Sequence, residues 1–232
     1  KFQKAKEYYF LSLEKNKSNQ EVWAQILFIQ AEQNNYKEIL TTSTEALSYF
    51  PTNPLFYYFN GISNRSIDNH KECIELLKTG LEFVVDNKLL LIEYYSVLAD
   101  SYNEIKKHDL SDLFYDKILD IDPDNILALN NYAYYLSLRK EKLEKALEMS
   151  LKANMLDENN GTYQDTHAWV LYQSKNYEEA KSWILKSLEN EGFKSSVIVE
   201  HYGDILYKLG EVKEAVIQWK KALEIGSESK KL

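Results

Sequence analysis

One stretch, residues 92–125 (IEYYSVLADSYNEIKKHDLSDLFYDKILDIDPDN), limits what the chain can fold into more than any other. Tyr95, Leu98, Ala99 and Tyr102 recur at steps of three and four, which places them on one face of a 3.6-residue helix. Ser111, Tyr115, Ile118 and Leu119 repeat the pattern after a polar break from Lys106 to Asp109. Asp109 is the expected N-cap of this second helix, with Asp112 in its first turn. The unit closes on Asp122-Pro123-Asp124-Asn125, where proline cannot continue a helix and Asp or Asn caps the next one. A helix pair of this size cannot bury its apolar faces alone, so it requires neighbours of its own kind.

The rest of the chain supplies them. Residues 1–19 read as a lone second helix, with Phe2, Ala5, Tyr9 and Ser12 on one face. Ser18 and Glu21 read as a capping box for the next helix. Residues 20–53 place Trp23, Ile26, Leu27, Tyr36, Ile39, Ala46 and Leu47 inward and end at Pro51. Asn53-Pro54 is an N-cap followed by proline at the first helical position. Residues 54–91 carry Tyr57, Gly61, Cys73, Ile74, Leu77 and Leu81, with surplus residues in LEFVVDNKLLLI. That surplus reads as an extra helical turn or as a protruding apolar patch. Units at 126–160, 161–195 and 196–229 follow 92–125, and the segment from Ser227 to Leu232 reads as a polar tail. Together they form one solenoid over 1–232, and the first residues KFQKAK suggest a piece of a longer protein.

A period near 34 built as helix–turn–helix resembles the tetratricopeptide repeat. The positions that carry the resemblance are Trp23, Gly61, Tyr102 and Gly203 in first helices and Tyr36, Tyr177, Ala146, Ala180 and Ala215 in second helices. Ala46, Ala153 and Ala222, with closing prolines at Pro51 and Pro123, complete it. Cys73 and Ser111 depart from the family's usual residue at the small second-helix site, and the last three repeats lack the proline. The resemblance implies an all-α, right-handed superhelical solenoid of antiparallel helix pairs. The strings LNNYAYYLSLR, TYQDTHAWVLYQSKNYEEAKSWILKSLEN and VIVEHYGDILYKLGEVKEAVIQWKKALE resemble bacterial tetratricopeptide proteins, many of them lipid-anchored or periplasmic and without assigned activity. A cell-envelope location is the expectation from that likeness, with the cytoplasm as the alternative.

Several function classes are disfavoured by composition. A net charge of −8 with no basic run beyond Lys-Lys pairs opposes nucleic-acid binding, which needs a clustered positive field. No apolar run of about 18 residues is present to span a bilayer. Cys73 is the only cysteine, so no internal disulfide forms. His70 and His108 fall at inter-helix turns. His167 and His201 lie on first helices of adjacent repeats, with Asp165 and Glu200 near in sequence, but no short ligand spacing such as HExxH or CxxC accompanies them. No phosphate loop, nucleophile elbow or triad pattern appears either. No catalytic residue, metal or cofactor is expected.

A surface remains. In first helices, the second, fifth, ninth and twelfth positions form a stripe beside the buried one. In the family this stripe lines the concave face on which peptides dock. It reads Ala24 and Phe28; Tyr58, Ile62 and Arg65; Ser96, Asp100 and Asn103; Asn130, Tyr134 and Ser137; Asp165, Trp169 and Tyr172; Glu200, Asp204 and Tyr207. Arg65 is its only cation. Acids beside aromatics suit a basic or a neutral, aromatic segment in a groove running from Asp100 to Asp204. Alternatively the acids are solvated and the rings pack between repeats. The expected function is a non-catalytic protein- or peptide-binding scaffold. The alternatives are a small-molecule or glycan module on the aromatic face and a regulatory part of a larger envelope protein. Open solenoid ends also allow self-association.

Overall fold

The structure, a computed structural model, describes residues 2–229, with side chains through Gly226. Among these residues there are thirteen α-helices, a short 3-10 turn at Gly192–Lys194 and no strand. The chain divides into two compact units, Lys1–Ile121 and Asp122–Leu232. The first holds α1 (Phe2–Lys15), α2 (Gln20–Glu32), α3 (Tyr36–Tyr49), α4 (Pro54–Ser66), α5 (His70–Leu81), α6 (Lys88–Glu104) and α7 (His108–Ile121). The second holds α8 (Ile126–Arg139), α9 (Leu143–Leu156), α10 (Gly161–Gln173), α11 (Tyr177–Glu189), α12 (Ser196–Lys208) and α13 (Val212–Ser229). Within each unit every helix packs on its sequence neighbour. Alternate helices also touch, α2 with α4 and α4 with α6 in the first unit, α8 with α10 and α10 with α12 in the second.

Asparagine sets most of the helix starts. Asn19, Asn35, Asn53, Asn87, Asn125 and Asn160 each accept a hydrogen bond from a backbone N–H of the first turn, satisfying a donor the helix itself leaves unpaired. Two starts differ from the sequence reading. Asn19, not Ser18, caps α2, because Asn16 Oδ1 accepts from the Ser18 N–H and holds that residue in the preceding turn. His108 already opens α7, so Asp109 lies in the first turn, where its charge still complements the helix N-terminus. The extra residue between α8 and α9 is accommodated by left-handed backbone at Lys140 and Lys142.

The surplus of the third unit is helical. At 17 residues, α6 is four longer than α4, one further turn at its N-terminus. Phe83, in the connection before it, stacks on Tyr57 with 6.0 Å between centroids, while Val85 and Leu89 are exposed. Lys230 to Leu232, the end of the expected tail, lie outside the described residues.

The core of the first unit gathers Leu13, Trp23, Ile26, Leu27, Ile39, Ala46, Phe56 and Phe59. Tyr94, Leu98, Tyr115 and Ile118 are buried farther along it. Tyr94, not Tyr95, is the fully buried ring of α6. Its hydroxyl donates to the Pro54 carbonyl and passes over Gly80, where any Cβ would collide with it and with Tyr57. In the second unit Ala168, Leu171, Ala180, Ile184, Ile198 and Ile205 form one cluster. Cys73, Ser111, Ala146, Ala180 and Ala215 are completely buried, as small residues at close helix crossings must be.

Candidate functional site

In the first unit the stripe is largely tied down. The Arg65 guanidinium donates from Nη1 to Asp100 Oδ2 at 2.7 Å, and the Tyr115 hydroxyl donates to the other oxygen of the same carboxylate. Tyr58 donates to Glu93 at 2.9 Å, and burial together with that carboxylate pushes its phenol well above the usual range. Arg65 and Asp100, like Tyr58 and Glu93, stand 35 residues apart, three short of the 38-residue unit 54–91, so each pair joins positions about one helical turn apart on α4 and α6. Phe28 is exposed but leans edge-on against Phe59 at 5.3 Å. Ile62, Ser96 and Asn103 are half-buried.

The second unit is different. On α10, Asp165 and Trp169 are buried, and both meet His201 of α12. Asp165 Oδ1 lies 2.9 Å from His201 Nδ1. An ionised carboxylate only accepts, so the ring N–H donates. The Trp169 indole lies between two rings, 3.8 Å from His201 and 4.6 Å from Tyr172, nearly parallel to both. Trp169 Nε1 is buried without a hydrogen-bond partner. Asp204 Oδ1 accepts from Trp219 Nε1 at 3.0 Å, and Trp219 crosses so close to Gly203 that a Cβ there would stand 2.5 Å from its ring.

What stays open on this face is Glu200, exposed, with Tyr207, half of whose surface faces solvent, and the half-buried Tyr134 and Tyr172. Burial raises the phenols of Tyr134 and Tyr172 above the usual range, and the nearby carboxylates of Asp165 and Asp204 add to the shift. Beside Tyr134 a cleft of about 270 Å³ opens among α8, α10 and α12. Its walls include Asn130, Asn131, Thr162, Thr166, Val197 and Ile198. Asn130 donates from Nδ2 to Asn131 Oδ1 at 3.1 Å, and its own Oδ1 is buried without a partner. Ser137, also on the stripe, is buried with its hydroxyl on the Tyr134 carbonyl.

Thr162 and Val197 hold the second stripe position of their repeats but were not singled out from the sequence, and Asn131, Thr166 and Ile198 stand one position off the stripe. Sequence spacing also missed the Asp165–His201 and Arg65–Asp100 pairs. Complementary side chains 35 or 36 residues apart were the available signal.

The remaining histidine candidate is structural. His167 faces away from His201, its Nδ1 2.7 Å from Ser150 Oγ and its ring edge-on to Trp183 at 4.7 Å. Burial, with Lys186 nearby, pulls its pKa down to about 4. Among the described residues no group of three or more His, Cys, Asp or Glu side chains is placed to hold a metal ion. Nor, among them, is any helix long and apolar enough to cross a membrane.

Stacked helix pairs of this length, with small residues at the crossings and an inner stripe on alternate helices, define a tetratricopeptide solenoid. The chain carries tetratricopeptide repeats: family models of that repeat match residues 92–125 and 114–148. It is 24% identical to the TPR repeat-containing protein MJ1428 of Methanocaldococcus jannaschii, covering 98% of this chain and 48% of that one. The chain spans less than half the length of the curated relatives it matches. Among solved structures, the Cut9 and Hcn1 hetero-tetramer of the APC/C is similar over 97% of this chain and 43% of that one, with a TM-score of 0.79 and 12% identity. YrrB, described as a TPR protein with an unusual peptide-binding site, is similar over 79% of this chain and 92% of its own, with a TM-score of 0.62 and 15% identity. At these identities the structural likeness concerns the fold. Proteins of this fold commonly serve as protein-interaction scaffolds and are generally non-catalytic.

Proposed function

We propose that the chain is a non-catalytic scaffold that binds a protein or peptide segment on the inner face of its helix pairs, with the second unit carrying the main contact surface. One observation carries this reading. On α8, α10 and α12 the rings of Tyr134, Tyr172 and Tyr207 and the carboxylate of Glu200 stay accessible, and Tyr134 borders a cleft that also presents Asn131. Rings with a polar tip and amides able to meet a peptide backbone suit recognition of an extended chain. YrrB, with its peptide-binding site, lends the reading support by fold. The stripe suits a neutral or aromatic segment, or one with a single cation to meet Glu200.

A pull-down from source cells with wild-type protein and a Glu200→Lys/Tyr207→Ala variant tests this. Both positions are exposed, so the variant keeps its fold. A defined protein held by wild type and lost by the variant is the expected result. Equal capture by both overturns the assignment to this face.

The proposal also takes in a bacterial cell-envelope location, which rests on the likeness of the last three repeats alone. Fractionation that recovers the protein only from cytoplasm overturns that part. Self-association belongs to it as well, since Tyr8 and Leu11 stand exposed on one side of α1. Sedimentation showing a monomer at high concentration counts against it.

A further inference from the structure

We propose that the cleft of the second unit is an anchor pocket for one uncharged apolar side chain of an extended peptide, read beside its backbone by Asn131. This rests on peptide binding at the inner face and narrows its chemistry.

The charges of the face are engaged within the protein. Asp165 borders the cleft, but its Oδ1 is bonded to His201 and both side chains are more than nine-tenths buried. Asp204 accepts from Trp219. Glu200 is left as the accessible acid of the stripe in this unit, and it is not among the residues lining the cleft. An incoming acid is repelled by Asp165, and an ammonium or guanidinium must give up its water for a buried carboxylate whose Oδ1 already accepts from His201, an exchange that desolvation makes costly. An uncharged side chain avoids both costs.

What the cleft offers instead is a mixed wall. Val197, half-exposed, and Ile198 stand on α12, and the Tyr134 ring stands on α8. Asn130 occupies Asn131 Oδ1, which fixes the orientation of the Asn131 amide and leaves its NH2 group for a peptide carbonyl. An apolar side chain seated between Tyr134 and Val197 removes carbon surface from water at both ends of the contact, a gain of roughly 10- to 100-fold in affinity for a Val, Leu or Ile.

The test is selection of a random 12-residue peptide library on the full chain. Synthetic consensus peptides are then titrated against wild type, Val197→Asp and Asn131→Ala. Both substitutions are at accessible positions, and melting curves check that each variant folds. The expected consensus holds one fixed Leu, Ile, Val or Met with no enrichment of Lys, Arg, Asp or Glu. Val197→Asp should weaken binding at least 10-fold, and Asn131→Ala should weaken all selected peptides by a similar factor whatever their anchor. A Lys- or Arg-rich consensus, or binding that changes less than twofold in both variants, overturns the neutral anchor and leaves peptide binding standing. A selection that yields no binding peptide overturns both readings.

Discussion

Trp169 and His201 lie ring on ring, 3.8 Å between centroids and 13° between planes, on adjacent inner helices. The contact decides what the inner face presents. A tryptophan at the ninth repeat position has the size and polarity of a ligand-binding ring. Here both its faces are taken, by His201 and by Tyr172, and only 9% of its surface remains accessible. Tyr207, three residues beyond the equivalent position of the next inner helix, is the ring left open.

Trp169→Ala should therefore destabilise the second unit by about 3–5 kcal/mol, the usual cost of deleting a buried large aromatic. Tyr207→Ala should shift stability by less than about 0.5 kcal/mol, because it is exposed. Urea unfolding of the two variants checks this. Equal, small effects would mean that Trp169 contributes little to the packing of the inner helices.

Asp165 and His201 make a second link between the same helices. Asp165→Ala leaves the His201 N–H buried and unpaired, and should cost about 1–3 kcal/mol. Asp165→Asn keeps an accepting oxygen at the same place and should cost less than about half as much. Comparing the two by denaturant titration separates the hydrogen bond from the mere presence of a side chain. If Asn is as damaging as Ala, the bond to His201 is not what the residue supplies.

The fold was legible because it depends on local rules repeated many times. Asparagine caps, apolar residues at three- and four-residue steps and small residues at crossings each act within one repeat, and the period multiplies the signal. The candidate face was legible only in outline. Spacing places Asp165 and Asp100 on the inner stripe, but whether an acid there is free depends on a partner one repeat away, His201 in one case and Arg65 in the other. Tyr94 shows the same limit inside the core. Its burial depends on room left by Gly80 on another helix, so helical spacing alone favoured Tyr95.

Gly203 carries a comparable dependence. A Cβ added there meets Cδ1 and Nε1 of Trp219 at 2.5 and 2.6 Å, and the rigid indole must move, breaking its bond to Asp204. Gly203→Ala should cost about 1–3 kcal/mol, the range for overpacking a tight contact. The double variant Gly203→Ala/Trp219→Leu should lose less than the sum of the two single changes, since removing the indole removes the collision. Thermal or urea unfolding of all three variants measures it, and strict additivity would mean that the two residues do not collide.

His167 makes stability depend on pH. Its pKa is pulled from the usual 6.5 to about 4, by burial first and by Lys186 second. The unfolded chain therefore binds a proton below about pH 6.5 that the folded chain refuses until about pH 4. More protons on the unfolded state means that stability is full above pH 6.5 and falls as pH drops through that window. The expected loss between pH 7 and pH 5 is about 2 kcal/mol, since each unit of displacement is worth about 1.4 kcal/mol. His167→Gln removes the titration while leaving an amide within reach of Ser150, so its stability should change less over the same range. Urea titrations of both proteins at pH 5, 6 and 7 decide the matter. Parallel curves would show that the acid sensitivity belongs to other groups and that His167 takes up a proton in the folded chain as readily as in the unfolded one.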